Sequence, residues 1–148
     1  MGKEIERKFL IDREKLDYSS YPSKEIVQGY LSVNPVIRVR RDGEDYYLTY
    51  KGSGMMVREE YNLYLTKESF EHLLKKADGN LIEKRRYKIP YKNYTIELDE
   101  FHGKLSGLIM AEIEFPSEDE AKAFNPPDFF LREVTNDPDY HNSNMINR

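Results

Sequence analysis

The sequence predicts a mostly antiparallel β-protein with a few helices (α+β), in which eight strands close into a barrel that encloses a tunnel and is flanked by the helices. Three observations carry this prediction. Apolar and polar residues alternate with a period of two along much of the chain, as half-buried strands require. Stretches with helical spacing are few and short. Several strands also carry two like charges at positions i and i+2, which puts both charges on one face.

The predicted strands follow from this alternation and from the turn residues between them. In the first strand Ile5 and Phe9 lie on one face, and Glu4 and Glu6 lie on the other. Residues 42–43, Asp-Gly, form a turn signal between two strands of a hairpin. The eight predicted strands cover residues 4–10, 26–32, 36–40, 45–51, 56–65, 84–90, 94–101 and 108–115.

Helices are predicted at three places. Thr66 is a suitable N-cap for a helix over 67–76, which has an apolar stripe at helical spacing. Ser117 and Glu120 have the spacing of a capping box at the start of a second helix. A short helix is expected around residues 140–146 of the polar tail.

Composition limits the classes of function. The 148 residues suit a single domain over 1–148, and 34% of them are charged, against about 25% in an average domain. With 23 basic and 27 acidic residues, the net charge of −4 argues against duplex nucleic acid as a partner. The absence of cysteine excludes disulfides and thiolate metal sites and suits a reducing compartment. Without a signal peptide or an apolar run of roughly 20 residues, we expect a soluble cytoplasmic protein and no membrane partner.

Five like-charged pairs are the most informative feature of the sequence. The two members of a pair point the same way and are about 6.6–6.8 Å apart, so they repel each other unless an opposite charge faces them. Water relieves that repulsion if the charged faces point outward, whereas in a barrel with charged faces inward acidic strands face basic ones. The pairs are Glu4/Glu6, Arg38/Arg40, Lys84/Arg86, Glu97/Asp99 and Glu112/Glu114, and their number favours the barrel.

Such an interior predicts the chemistry of its ligand. Clustered Arg and Lys side chains bind phosphate or carboxylate groups. Clustered carboxylates without His or Cys suit hard cations such as Mg²⁺ or Mn²⁺. Both together favour a metal-bound polyphosphate and phosphoryl transfer.

The motifs carrying these charges resemble those of a known family. Residues 4–9, EIERKF, are similar to the ExExK signature of the CYTH superfamily, also called triphosphate tunnel metalloenzymes. The similarity continues in the same order over nearly the whole chain, which in this respect resembles single-domain bacterial inorganic triphosphatases. The matching segments are residues 28–31, 38–40, 48–52, 58–60, 84–87, 97–101, 112–115 and 133–135, with Tyr140 and Asn142 near the end.

The resemblance implies a set of site residues. Metal ligands, or residues that hold metal-bound water, would be Glu4, Glu6, Glu112 and Glu114, with Glu60, Glu97 and Asp99 as further acidic candidates. Residues gripping the phosphates would be Lys8, Arg38, Arg40, Lys51, Lys84 and Arg86. The catalytic residues would be Glu4, Glu6, Lys8 and Glu114. Asn62 departs from the family pattern, which often has an acid at that position.

The resemblance also implies a function, with alternatives. We expect metal-dependent hydrolysis of a triphosphate, above all inorganic tripolyphosphate, with Mg²⁺ or Mn²⁺ as cofactor. A class IV-type adenylyl cyclase and a thiamine triphosphatase are alternatives within the family. A non-catalytic barrel that binds polyphosphate or nucleotide is an alternative of another class, although a mere binder has no need of two Glu-x-Glu pairs. Assembly as a homodimer stays open at this point.

Overall fold

The alternating segments form one antiparallel sheet of ten strands in this protein, for which a computed structural model describes residues 2–148. The strands are β1 (Glu4–Ile11), β2 (Ser23–Val33), β3 (Val36–Asp42), β4 (Asp45–Lys51), β5 (Val57–Arg58), β6 (Glu60–Tyr64), β7 (Asp78–Tyr91), β8 (Tyr94–Phe101), β9 (Ile109–Glu114) and β10 (Phe130–Glu133). The helices are α1 (Lys67–Leu74) and α2 (Glu118–Ala123).

Strand β5, which directly precedes β6 in the chain, pairs with β1 and thereby curls the sheet into a barrel. The strand order is β10-β1-β9-β8-β7-β2-β3-β4-β6, and β5 pairs with β1. At one side of this junction Glu60 of β6 is opposite Lys51 of β4, and at the other side Arg58 of β5 is opposite Glu4 of β1. The amide of Gly2 adds a 2.9 Å hydrogen bond to the carbonyl oxygen of Glu60. The barrel fold predicted from the sequence is therefore confirmed.

The strand count differs from the predicted eight, for two reasons. The segment predicted as a single strand over 56–65 is divided at Glu59, because Arg58 pairs with β1 whereas Glu60 pairs with β4. Strand β10 was not predicted, since four residues are too few to show a clear alternation. It pairs with the C-terminal half of β1, with Glu133 opposite Phe9.

The charged faces point inward, as the like-charged pairs predict. On β1, Glu4, Glu6 and Lys8 are all buried although no apolar core surrounds them. Phe9, which follows Lys8, points outward and stacks on Phe130, with 4.5 Å between the ring centroids. The apolar cluster that covers this outer side of the barrel comprises Ile5, Phe9, Ile11, Ile89, Ile96, Leu98, Ile109, Ala111, Ile113, Phe115, Ala121, Phe124 and Phe130.

Both flanking helices begin where the sequence predicts. Thr66 accepts a 3.1 Å hydrogen bond from the amide of Ser69 at the start of α1, and Ser117 accepts one of 3.2 Å from Glu120 at the start of α2. Helix α1 buries Phe70 against the outer face of the sheet. None of the helices within residues 2–148 has the length and apolar content needed to cross a membrane.

The short helix predicted around residues 140–146 is present only as a 3-10 helix over Asn142–Asn144, and a second 3-10 helix, Pro138–Tyr140, precedes it. His141 between them is extended, with φ −80° and ψ 129°, which interrupts any continuous helix. Met145 and Ile146 are then buried against the barrel.

Replacing Gly29 with alanine is expected to lower the free energy of unfolding by about 1–3 kcal/mol. A Cβ atom at this β2 position would lie 2.8 Å from Cβ of Ala77 and 3.0 Å from Cδ1 of Leu74, where the end of α1 packs on the sheet. Urea unfolding measures the change. Gly52→Ala is the matched control, because its new Cβ would meet nothing closer than 3.5 Å. Equal stability of the wild type and Gly29→Ala would contradict this close packing.

Candidate active site

The inward-facing side chains line a cavity of about 60 Å³, here called the barrel cavity. Side chains of both charges surround it, with little apolar surface between them. Its lining consists of Glu4, Glu6, Lys8, Tyr30, Val36, Arg38, Arg40, Lys51, Arg58, Glu60, Lys84, Arg86, Glu97, Glu112, His141, Asn142 and Ser143. Two surface depressions adjoin it. One of about 580 Å³ shares Glu97 with its lining, and one of about 270 Å³ shares Arg86.

The structure brings together the site residues that the sequence predicts. All of them line the barrel cavity except Asp99 and Glu114. Asp99 is fully buried in the wall of the barrel. Glu114 lines the larger adjoining depression together with Glu97. Their assigned roles as ligands or catalysts stay predictions.

Carboxylates crowd one side of the barrel cavity. Nζ of Lys51 lies 3.0 Å from Oε1 of Glu4 and 3.5 Å from Oε2 of Glu60, and thus bridges two strands that close the barrel. Burial raises the pKa of Glu4 even though Lys51 opposes the shift. Burial and the nearby Glu112 raise the pKa of Glu6 well above its usual value. Lys8 also lies near this group, with its Nζ 3.8 Å from Oε1 of Glu6, so two lysines offset part of the negative charge of the carboxylates.

Cations dominate the facing strand β3. Arg38 donates a 3.1 Å hydrogen bond to Thr49, but its buried Nε has no acceptor among the described residues. Nε of Arg40 donates to Oε1 of Gln28 at 2.8 Å. Burial, with Arg38 and Arg86 nearby, lowers the pKa of Arg40 to about 10. An anion in the barrel cavity would relieve both the repulsion and the unpaired donor.

Asp99 holds two further cations in place. Arg86 donates to both of its carboxylate oxygens, at 2.7 and 2.9 Å, and Nζ of Lys84 lies 2.8 Å away. Although burial opposes it, Arg86 and Lys84 keep the pKa of Asp99 below its usual value. Burial lowers the pKa of Lys84 to about 7. Arg86 also lies 3.6 Å from Glu112, which connects this cluster to the carboxylate side.

The donor set suits a hard divalent cation. The candidate ligands are carboxylates alone, and burial raises the pKa of Glu4, Glu6 and Glu114, so a cation beside them would relieve an existing electrostatic cost. Within residues 2–148, no three Asp, Glu, His or Cys side chains already form a set of metal ligands. Lys51 lies between Glu4 and Glu60 instead, so these carboxylates have to rearrange before they can chelate an ion.

Asn62 lies beside Glu60, where the family pattern often has an acid. Its Nδ2 is 3.4 Å from Oε1 of Glu60, and its Oδ1 accepts a 2.6 Å hydrogen bond from Thr49. Thr49 in turn accepts from Arg38. Asn62 therefore connects a carboxylate to an arginine through neutral hydrogen bonds and adds no charge.

Sequence reasoning missed several residues around the barrel cavity. Uncharged side chains on strands gave no signal, and the tail has no periodicity that could place it at the barrel. Gln28, Tyr30, Thr49, Arg58 and Asn142 lie in segments or at positions that match the family, but none of them was assigned to the site. The lining residues without a predicted role are Tyr30, Val36, Arg58, His141, Asn142 and Ser143, and the hydrogen-bonding partners without one are Gln28 and Thr49.

His141 is expected to titrate near pH 4. Burial and the nearby Lys8 lower its pKa to about 4, below an unfolded-state value of about 6.5. The neutral ring therefore stabilises the fold fully above about pH 6.5, and this contribution is lost as the pH falls towards 4. An NMR titration of the ring protons, assigned with His141→Gln, measures the midpoint. A midpoint of about 6 or higher would contradict the buried placement.

The fold and the site define a closed antiparallel barrel with an interior charged in both signs. The description CYTH domain belongs to the family whose sequence model matches residues 2–133. The chain therefore belongs to the CYTH domain family, as the resemblance of its motifs indicated.

Two proteins named inorganic triphosphatase are similar to this chain over nearly their whole length. The one from Nitrosomonas europaea is 40% identical over 149 residues, which cover 94% of this chain and 93% of that protein. The one from Acetivibrio thermocellus is 40% identical over an alignment of 154 positions, which covers 99% of this chain and 94% of that protein. A crystal structure of an inorganic triphosphatase superposes with a TM-score of 0.71 at 36% identity, covering 99% of this chain and 95% of that one.

Proposed function

We propose that this protein is an inorganic triphosphatase that hydrolyses tripolyphosphate inside its barrel with the help of Mg²⁺ or Mn²⁺. The observation that carries the proposal is the barrel cavity itself, where seven cationic side chains face five carboxylates. The similarity to proteins named inorganic triphosphatase supports it independently.

The cations of the barrel cavity would bind the phosphate groups. Arginine offers paired donors to phosphate oxygens, and each of these cations lies on a strand of the barrel. Burial lowers the pKa of Arg40 and of Lys84, so a phosphate next to them would stabilise their charged forms. The proposed phosphate-binding residues are Lys8, Arg38, Arg40, Lys51, Lys84 and Arg86.

The carboxylates would hold the metal and orient the attacking water. A divalent cation supplies neutralisation of the phosphate charge and a more acidic bound water. Glu4 and Glu60 would hold the cation in place of Lys51, whose ammonium group would then be free to bind phosphate. The proposed metal-binding carboxylates are Glu4, Glu6, Glu60, Glu97, Asp99, Glu112 and Glu114, of which Asp99 is already paired with two cations.

Ligand binding should widen the barrel cavity. Its present volume of about 60 Å³ lies well below the roughly 300 Å³ at which pockets for small molecules begin. The ion pairs of Lys51 join neighbouring strands where the barrel closes, and they occupy part of its interior. Exchange of these pairs for contacts with phosphate and metal would give room without a change in fold.

The decisive test is phosphate release from tripolyphosphate, ATP and thiamine triphosphate, each with Mg²⁺, Mn²⁺ or EDTA. Metal-dependent release that is fastest with tripolyphosphate is the expected result. Cyclic AMP from ATP without phosphate release would make the protein a cyclase. Binding of triphosphate without any product would make it a non-catalytic barrel.

The proposed enzyme acts as one domain over residues 1–148. A cytoplasmic location is supported by the absence of cysteine, which suits a reducing compartment. Light scattering at several protein concentrations tests whether it assembles as a homodimer.

A further inference from the structure

The C-terminal tail contributes polar side chains to the barrel cavity. Its last residues pack against the barrel, where Met145 and Ile146 join an apolar cluster with Ile82 and Phe101. The amide of Asn80 in β7 donates a 2.7 Å hydrogen bond to the carbonyl oxygen of Ile146. This anchoring brings the turn Asn142–Asn144 to the cavity lining.

Two hydrogen bonds determine how the amide of Asn142 is oriented. Nζ of Lys84 donates to its Oδ1 at 3.0 Å, and Nε2 of Gln28 donates to the same oxygen at 3.2 Å. Lysine has no acceptor, so the atom facing it must be the oxygen. Gln28 is fixed likewise, because its own Oε1 accepts from Arg40, which is a donor only.

The nitrogen of the Asn142 amide is left as a donor. Asn142 is 8% exposed and lines the barrel cavity, yet none of the described residues accepts a hydrogen bond from its Nδ2. Nδ2 itself is not fully buried, so a water or a ligand in the cavity can accept its hydrogen bond. Since cations surround this part of the cavity, the ligand that suits the free donor is an anion.

We propose that Asn142 is a further substrate-binding residue, whose Nδ2 donates a hydrogen bond to a phosphate oxygen of the triphosphate. This inference rests on the proposed triphosphatase function. It assigns two tasks to one amide: the oxygen holds Lys84 and Gln28, and the nitrogen contacts the substrate. The tail thereby becomes part of the binding site for the triphosphate.

A purely structural role would give Asn142 only the first task. The two variants Asn142→Asp and Asn142→Leu separate these roles. Asn142→Asp keeps an acceptor for Lys84 and Gln28 but replaces the donor with a carboxylate oxygen. Asn142→Leu carries no charge but loses both the acceptor and the donor. Because Asn142→Asp also adds a negative charge to the cavity, Ser143→Asp at the neighbouring lining residue controls for that charge. A substrate contact predicts weaker binding in Asn142→Leu and a larger loss in Asn142→Asp than in Ser143→Asp, whereas a purely structural role predicts equal losses in the two Asp variants.

The matched control is Asn144→Leu. Asn144 is in the same turn, but its Nδ2 donates to the carbonyl oxygen of Pro138 inside the tail at 2.8 Å and not to the barrel. This variant disturbs the tail without changing the barrel cavity, so it controls for a general loosening of the tail.

The experiment is a calorimetric titration of tripolyphosphate into each metal-free protein in EDTA, with thermal unfolding measured in parallel. We expect the Kd to rise about tenfold or more in both Asn142 variants and to stay within about twofold in Asn144→Leu. The Asn142→Asp variant should keep a Tm near that of the wild type. Wild-type affinity in Asn142→Asp, or a loss equal to that in Ser143→Asp, would overturn this inference alone. No binding of tripolyphosphate by the wild type would also overturn the inference, and the proposed function would still be decided by the phosphate-release assay with Mg²⁺ or Mn²⁺.

Discussion

Replacing Glu4 with glutamine is expected to slow phosphate release from tripolyphosphate by at least about a hundredfold, with saturating Mg²⁺ present. The substitution removes one negative charge from the proposed metal-binding carboxylates and leaves the size of the side chain unchanged. Glutamine still offers an oxygen to Lys51, which lies 3.0 Å from Glu4. Steady-state rates across a range of metal concentrations measure the effect.

The same substitution should not weaken the fold. Burial raises the pKa of Glu4, and Glu60 and Glu112 add repulsion, so the ionised carboxylate is stabilised less in the folded protein than in water. Neutral glutamine avoids that cost, and the Tm should equal or exceed that of the wild type at neutral pH. Lost activity together with unchanged stability separates a functional carboxylate from a structural one.

Glu114→Gln should behave like Glu4→Gln, because Glu114 is the other carboxylate proposed to act at the metal. Glu59→Gln is the matched control, since Glu59 is exposed and points away from the barrel cavity. It should keep the wild-type rate. A near-wild-type rate in Glu4→Gln or Glu114→Gln would contradict the assignment of metal-binding residues.

Replacing Asp99 with alanine is expected to cost about 3–5 kcal/mol of stability and to abolish activity. The change leaves Lys84 and Arg86 buried without their main partner, and an uncompensated buried charge is among the costliest defects in a protein. For a chain of this size, such a loss corresponds to a fall of about 6–20 °C in Tm. Thermal and urea unfolding measure it.

Glu97→Gln is the control for the Asp99 prediction. Glu97 lies two residues before Asp99 on the same strand and also approaches Arg86, but at 3.5 Å and with 27% of its side chain exposed. Its removal should cost less than about 1 kcal/mol. If Asp99→Ala does not fold, Asp99→Asn keeps the shape and tests the charge alone. Wild-type stability in both Asp99 variants would show that the buried ion pairs of Asp99 do not stabilise the fold.

The sequence predicted the barrel and most of the residues around its cavity because strand geometry is local. Successive side chains on a strand point to opposite faces, so the phase of Glu4 and Glu6 could be read without knowledge of the rest of the chain. The family resemblance then supplied the roles. The same local reasoning missed the division of the strand at Glu59, because a change of pairing partner leaves little trace in the alternation.

The position of the tail against the barrel could not be predicted from the sequence either. Residues 138–148 are polar and aperiodic, and their position depends on a few anchors such as Met145, which is buried against the barrel. Nothing in the neighbouring sequence indicated that His141 would be buried or that Asn142 would contact Lys84.

The sequence by itself thus determined which faces are charged, where most strands begin and end, and the family to which the chain belongs. Only the tertiary structure decided which charges meet. Lys51 bridges Glu4 and Glu60 where the barrel closes, and Asp99 of β8 holds Lys84 and Arg86 of the neighbouring strand β7. The physical reason is that side-chain direction follows from the backbone period within one strand, whereas contacts across the barrel depend on strand order, register and closure.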